Sequence, residues 1–206
     1  MIKRRGLLFV ISSPSGSGKT TIIKEILKED SCLELSVSVT TRPQRLGEVH
    51  GKDYLFVKEC EFQTMVCNDD FIEHAEIFGN YYGTPKNILE LRIKNGQDTL
   101  FDLDWQGARR LYQLFPDDIV RIFVMPPSIQ ELESRLRSRA LDSEETIMYR
   151  MSKALKEISH FNEYDYVILN DQLGDAIKDI QSIIRSERCK RQRLIVSPNF
   201  FHEGKL

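Results

Sequence analysis

Lys19 and Thr20 end a run of small residues, Ser13-Pro14-Ser15-Gly16-Ser17-Gly18, and this run lies between two apolar patterns of different period. Before it, Leu7 to Ile11 is five consecutive apolar residues, too short for a helix and bounded by turn formers, and so reads as a buried strand. After it, Ile22, Ile23, Ile26 and Leu27 fall at helical spacing. A glycine-rich turn that opens a helix points unpaired backbone N–H groups and the positive end of the helix dipole at one spot, and small residues let a phosphate reach them. Ser15, Gly16, Ser17, Gly18, Lys19, Thr20 and Thr21 are therefore predicted to cradle a polyphosphate. In this phosphate-loop pattern Lys19 reaches the outer phosphates and the Thr20 hydroxyl coordinates magnesium. Ser13 stands where the pattern begins with Gly, so the chain must turn there without a residue that tolerates positive φ freely.

Further groups suited to anions follow. The stretch from Ser38 to Glu48 is broken by Pro43 and Gly47, which sets Arg42 and Arg45 on a loop, as an anion clamp or as a solvated face. Asp102 and Asp104 are two apart at the end of an expected strand, Asp98 to Leu103, so both carboxylates are predicted to share a face at the edge where open α/β sheets bind ligands. One would orient magnesium through water and the other would accept hydrogen bonds from a substrate; Asp104 equally suits the N-cap of a helix beginning at Trp105. Ser128-Ile129-Gln130-Glu131 spells a capping box, and the helix it opens carries Arg135 and Arg139 one turn apart. Arg150 lies off the apolar stripe of the next helix. Three converging arginines would stabilise charge on a migrating phosphoryl group; the same residues would otherwise pair with Asp142, Glu144 and Glu145. A mobile lid reconciles the two.

The scaffold that must hold these groups is legible from period and punctuation. Asp53 to Val57, Ile119 to Met125 and Tyr164 to Leu169 read as strands, Glu61 to Val66 as a short helix and Phe71 to Glu76 as an apolar-polar segment. Thr84-Pro85 reads as a helix start, Thr84 capping and Pro85 at the first helical position. Residues from about 38 to 96 thus form a small mixed insert. Ile147, Met151, Ala154, Ile158 and Phe161 make a core stripe, and the last helix is predicted to bury Leu173, Ala176, Ile177, Ile180, Ile183 and Ile184. Its basic end, Arg185 to Arg193, is expected to be solvated, with residues after Ser197 a tail.

With 206 residues the chain suits one α/β core with inserted subdomains. A formal net charge of -2 gives no global attraction to nucleic acid or an anionic membrane, so any anion site is local. Cys32, Cys60, Cys67 and Cys189 have neither C-x-x-C spacing nor a neighbouring His cluster and read as free thiols. The Lys3-Arg4-Arg5 start and the apolar run behind it run into the phosphate loop rather than a cleavage site, and no stretch approaches membrane-spanning length, which together point to the cytoplasm.

Six segments carry a closer match: Ser-Pro-Ser-Gly-Ser-Gly-Lys-Thr from Ser13, Thr-Thr-Arg-Pro-Gln-Arg-Leu-Gly-Glu-Val-His-Gly-Lys-Asp-Tyr from Thr40, Phe-Ile-Glu-His-Ala-Glu from Phe71, Gly-Asn-Tyr-Tyr-Gly-Thr from Gly79, Asp-Leu-Asp-Trp-Gln-Gly from Asp102 and Tyr-Asp-Tyr-Val-Ile-Leu-Asn-Asp from Tyr164. In this order and spacing the chain resembles the guanylate kinase family from about Gly6 to Arg193. The resemblance implies the nucleoside monophosphate kinase fold: a parallel-sheet core (residues 1–37, 97–130 and 151–193), a GMP-binding insert (38–96) and a helical lid (131–150), with 194–206 as a tail. It implies the reaction ATP + GMP ⇌ ADP + GDP, with magnesium accompanying ATP, no nucleic-acid or membrane partner, and room for a homo-oligomer. By position, Arg42, Arg45, Tyr54 and Tyr82 would hold the GMP phosphate, while Ser38, Glu73, Thr84 and Asp104 would read guanine, with Asp102 beside them. Lys19 and Thr20 would serve ATP, Asn170 the adenine side, and Arg135, Arg139 and Arg150 the transferring phosphoryl. Thr84 stands where many members have Ser, and Ala140 follows Arg139 where Gly is usual. The same fold in a ribose bisphosphate kinase, or in a phosphopeptide-binding module without catalysis, is the alternative; Lys19, Thr20 and the lid arginines argue against the module, and Ser38, Glu73 and Thr84 favour a purine over a sugar.

Overall fold

The computed structural model describes residues 2–77, 79–138 and 144–196. In chain order the elements are β1 (Ile2–Arg4), β2 (Leu8–Ser12), α1 (Lys19–Glu29), β3 (Leu33–Leu35), β4 (Val39–Thr40), β5 (Leu55–Phe56), α2 (Glu59–Cys67), β6 (Phe71–Ile77), β7 (Asn80–Pro85), α3 (Lys86–Lys94), β8 (Asp98–Asp102), α4 (Trp105–Leu114), β9 (Ile119–Met125), α5 (Ile129–Ser138), α6 (Glu144–Ile158), β10 (Tyr166–Leu169), α7 (Leu173–Cys189) and β11 (Leu194–Val196).

The central sheet is parallel throughout, in the order β10-β9-β2-β8-β3. Its middle strand explains the unbroken apolar run of Leu8 to Ile11. Phe9 and Ile11 pack with Ile22 and Ile26 of α1 and Ile180 and Ile184 of α7, whereas Leu8 and Val10 pack with Leu89 and Ile93 of α3 and Leu111 of α4. Alternate side chains enter opposite layers, so every position must be apolar. Register brings Ile11 opposite Asp102 on one side and Ile122 on the other, so the C-terminal ends of β2 and β8 open onto one edge, joined there by the residues that follow β9 and β10. Open parallel sheets bind their ligands at that edge.

The second sheet, β5-β4-β7-β6, is mixed, with β4 parallel to β5 and antiparallel to β7. It has its own small aromatic core in which Phe62 of α2 stacks on Phe71 and Tyr81 at ring separations of 4.6 and 5.4 Å.

Several expectations are corrected. Thr84 does not cap a helix: β7 runs through it, and Pro85, at φ -73 and ψ 133, is the N-cap of α3. Strand pairing with β6 extends the backbone to that point, which frees the Thr84 side chain for the insert. β8 ends at Asp102, so Asp102 and Asp104 do not share a strand face; Asp104 caps α4. Phe161 lies beyond α6 and is exposed, and Leu173, at the first turn of α7, is exposed as well.

The basic end of α7 is solvated only in part: Arg185, Lys190 and Arg191 are exposed, whereas Arg188 and Arg193 are held against acids. Arg188 donates to Asp98 at 2.7 Å and pairs with Asp30 at 2.7 Å, and the fully buried Asp98 also receives Arg4 and the Leu7 amide. Arg193 is 6% exposed and faces Glu187, which is itself buried. The first residues beyond this helix are ordered in β11, which pairs antiparallel with β1. Charge runs look solvated when read alone because the buried acids that partner them are distant in sequence: Asp98 is 90 residues from Arg188.

Candidate active site

The phosphate loop runs from Ser13 to Thr20 between β2 and α1. Gly16 (φ 96) and Gly18 (φ 91) make its left-handed turns, and Gly18 is the N-cap of α1. Ser13 needs no such conformation, since Asp69 is the one non-glycine with positive φ among the described residues. Two contacts brace the loop. The buried Asn170, just past β10, donates its Nδ2 to the Ser17 carbonyl at 2.6 Å, and a Cβ on Gly18 would stand 2.7 Å from that same nitrogen. On the other side Leu132 and Leu136 of α5 pack on Gly16, where a Cβ would lie 3.2 Å from each.

This loop walls a cavity of about 330 Å³, lined by Ser13 to Thr20 with Asp102 and Glu157. Inside it Lys19 Nζ sits 2.5 Å from Asp102 Oδ1. The Thr20 hydroxyl and the Asp102 carboxylate thus border one space. Thr21 is exposed at the first turn of α1, where its amide bonds the Gly18 carbonyl at 3.1 Å.

A second cavity, about 300 Å³, opens between the core sheet and the insert. It is lined by Leu35, Ser36, Ser38, Asp53, Tyr54, Thr84, Phe101, Asp102 and Leu103. Asp102 therefore belongs to both walls. Arg42, Tyr54 and Tyr82 gather near it: the Arg42 guanidinium lies 5.4 Å from the Tyr54 ring centre, and the Tyr54 and Tyr82 rings meet edge to face at 6.0 Å. Arg42 also pairs with Glu48 at 2.7 Å, and the second oxygen of Glu48 accepts the Arg45 amide at 2.8 Å. Arg42 holds the Glu48 carboxyl below its ordinary range, and the Arg45 amide adds to this. The Arg45 side chain is exposed.

Glu73 lies on β6 against Thr84, whose hydroxyl donates to it at 3.4 Å, and against Gly107 of α4, where a Cβ would be 3.3 Å from its oxygen. Burial pushes the Glu73 carboxyl up from its ordinary range and the Asp104 charge pushes the same way, while Thr84 and then Arg110 oppose them. Asp104 Oδ1 accepts the Gln106 and Gly107 amides at 3.0 and 2.9 Å. One carboxylate thereby caps α4 and adds charge beside Glu73.

Of the three lid arginines, Arg135 donates to Glu131 four residues earlier at 2.8 Å, Arg150 is half-buried on α6, and Arg139, with Ala140, lies outside the described residues. Ser128 accepts the Glu131 amide at 3.0 Å, the first half of the capping box; the Glu131 carboxylate serves Arg135 instead of the cap. Of the acids expected to partner these arginines, Glu144 pairs instead with Arg137, which bridges it to Glu133, and Asp142 lies outside the described residues.

Two residues here escape a reading of motifs. Glu48 falls inside a quoted segment but carries no signal of pairing with Arg42. Glu157 does carry one: it lies three residues after the fully buried Ala154, hence on the inner side of an amphipathic helix where a charge is out of pattern.

Comparisons with known proteins agree with this architecture. The family model described as guanylate kinase matches residues 5–187. The chain is 53% identical over 194 residues to a guanylate kinase of Zymomonas mobilis, covering 94% of this chain and 90% of that one. It is 52% identical over 192 residues to one of Novosphingobium aromaticivorans, covering 93% and 87%. The crystal structure of guanylate kinase from Anaplasma phagocytophilum superposes with a TM-score of 0.71 at 38% identity, covering 98% of this chain and 94% of that one. With the phosphate loop, the insert and their meeting point at Asp102 arranged as described, the chain belongs to the guanylate kinase family.

Proposed function

We propose that this chain transfers the γ-phosphoryl group of ATP to GMP, and to dGMP, giving ADP and the guanosine diphosphate. The observation that carries the reading is the pair of cavities, one walled by the phosphate loop and one by the insert, with Asp102 in both. Two substrates seated there meet over one carboxylate. Phosphoryl transfer is mostly a matter of such positioning together with charge stabilisation.

In this reading the phosphate loop from Ser15 to Thr20 and the Lys19 ammonium hold the ATP phosphates, with Thr21 beside them at the first turn of α1, and Asn170 acts on the donor side by holding the loop. Arg42, Arg45, Tyr54 and Tyr82 hold the GMP phosphate, for which guanidinium and phenol donors are suited. Ser38, Glu73, Thr84 and Asp104 read the base. Guanine offers N1–H and N2–H₂ on one edge, so an ionised Glu73 accepts both, whereas adenine has an acceptor at N1 and would leave the carboxylate facing a lone pair. Arg135, Arg139 and Arg150 act on the migrating phosphoryl, with 131–150 as the lid, 38–96 as the acceptor-binding insert and the remainder to residue 193 as core.

Magnesium fits the donor set. Thr20 and Asp102 supply hard oxygens, and no group of three or more His, Cys, Asp or Glu able to hold a metal occurs among the described residues. A cation that keeps most of its waters and binds chiefly through phosphate oxygens suits so sparse a set. Bound there, it neutralises phosphate charge. No helix among the described residues is long and apolar enough to cross a membrane, and the cytoplasm, where ATP and GMP are found, is the proposed location.

The test is ADP release from purified protein with magnesium and ATP, offered GMP, dGMP, AMP, CMP, UMP and ribose 1,5-bisphosphate in turn. Strong turnover with GMP and weaker turnover with dGMP alone is the expected pattern. Turnover confined to the sugar phosphate would move the base-reading residues to another role, and binding without turnover would make the chain a recognition module.

A further inference from the structure

Glu157 shares the phosphate cavity with Ser13 to Thr20 although it comes from α6. Packing fixes it there. Ala154 and Met151 of α6 pack on Leu132 and Leu136 of α5, the same leucines that press on Gly16. Three residues beyond Glu157, the His160 ring stacks on Trp105 of α4 with centroids 3.7 Å apart, and Glu163 contacts His160 Nδ1 at 2.7 Å and Arg109 Nη2 at 2.6 Å. A residue anchored between these contacts is not a solvated surface acid. Burial pushes its carboxyl up from the ordinary range, Lys19 draws it back, Asp104 pushes it up, and the Ser15 amide draws it back. Lys153 favours its charge as well, and the other two groups that do so, Lys19 and a loop amide, are of the kind a polyphosphate needs.

We propose that Glu157, as a carboxylate in the wall of the phosphate cavity, opposes the phosphates of a bound nucleotide, weakening the hold on the donor nucleotide and hastening departure of the diphosphate product; this rests on the reading of the cavity as the ATP site. A loop of amides and a lysine binds ADP as well as ATP, and slow product release limits many enzymes of this kind. A carboxylate in the same cavity repels the phosphates of both nucleotides.

The experiment measures binding of ADP with magnesium by calorimetry, and its dissociation by stopped flow with a fluorescent ADP analogue, for wild type, Glu157→Gln, Glu157→Asp and Lys19→Ala. Removing one like charge from the cavity should tighten ADP roughly tenfold in Glu157→Gln, mostly by slowing dissociation. Glu157→Asp keeps the charge and should stay near wild type, which a purely structural role for the longer side chain would not allow. Unchanged or weaker ADP binding in Glu157→Gln, while Lys19→Ala loses binding, overturns the proposal and leaves the ATP-site reading intact. ADP binding indifferent to Lys19→Ala overturns both.

Discussion

The Asn170 amide holds the Ser17 carbonyl at 2.6 Å across 153 residues of chain, which makes the end of β10 a brace for the phosphate loop. Asn170→Ala should remove that brace and leave a buried carbonyl unpaired, at a cost of about 1–3 kcal/mol. Chemical denaturation would measure the loss. ADP affinity should fall with it, because the loop amides are no longer held in register; undiminished affinity would mean that the loop keeps its shape without the brace.

Lys19 is the cation of the phosphate cavity and pairs with Asp102. Lys19→Ala should lower kcat by at least ~10²-fold, as loss of a comparable charge-stabilising contact does. Steady-state turnover of GMP by the folded variant decides this, and near-normal turnover would remove Lys19 from the chemistry.

Glu73 lies partly buried between Thr84 and Gly107, with its carboxyl pushed up by burial and by Asp104. Glu73→Gln should erode the preference for GMP over AMP far more than it changes ATP binding, read as the ratio of kcat/KM values for the two acceptors. The same substitution should raise Tm at pH 7. The sign follows from the raised carboxyl: its contribution to stability is fully present below the ordinary Glu range and is lost as pH rises through the folded-state value, so at neutral pH the wild type carries a charge that the fold disfavours. The Tm advantage of Gln should shrink as the pH falls from 7 through the raised folded-state value and level off below the ordinary Glu value of ~4.3. A gain that grows on acidification would refute the assignment of burial as the dominant cause.

Asp98 is fully buried and accepts from Arg4, Arg188 and the Leu7 amide. Asp98→Asn should cost about 3–5 kcal/mol by leaving Arg4 without its anion and Arg188 with Asp30 alone. Urea denaturation would show the loss, while the folded fraction should keep its turnover, since this cluster lies at the start of β8 and the phosphate cavity at its end.

The order of elements and the phosphate loop were legible from residues alone because both rest on local patterns: the run from Leu7 to Ile11, the glycines at 16 and 18, and the spacing of Ile22 and Ile26. The insert and its base-reading groups came from resemblance, since nothing in the local pattern around Glu73 distinguishes a ligand from a strand residue. What escaped was non-local. Thr84-Pro85 has the residue types of a helix cap, yet pairing with β6 overrides that preference and holds Thr84 in a strand. Asp104 was open between two roles, and its capping bonds together with its charge beside Glu73 show that one side chain can serve a helix and a site at once. Arg188 looked solvated because its acid, Asp98, becomes a partner only after the sheet and α7 have assembled.

Asp102 stands in the wall of both cavities. Because one side chain walls both, nucleotides seated in the two cavities are neighbours, and transfer between them needs no residue to carry the phosphoryl group after one nucleotide has left. Initial rates measured against both nucleotides should therefore give intersecting rather than parallel double-reciprocal lines, the signature of a ternary complex in which donor and acceptor are seated together before either product departs.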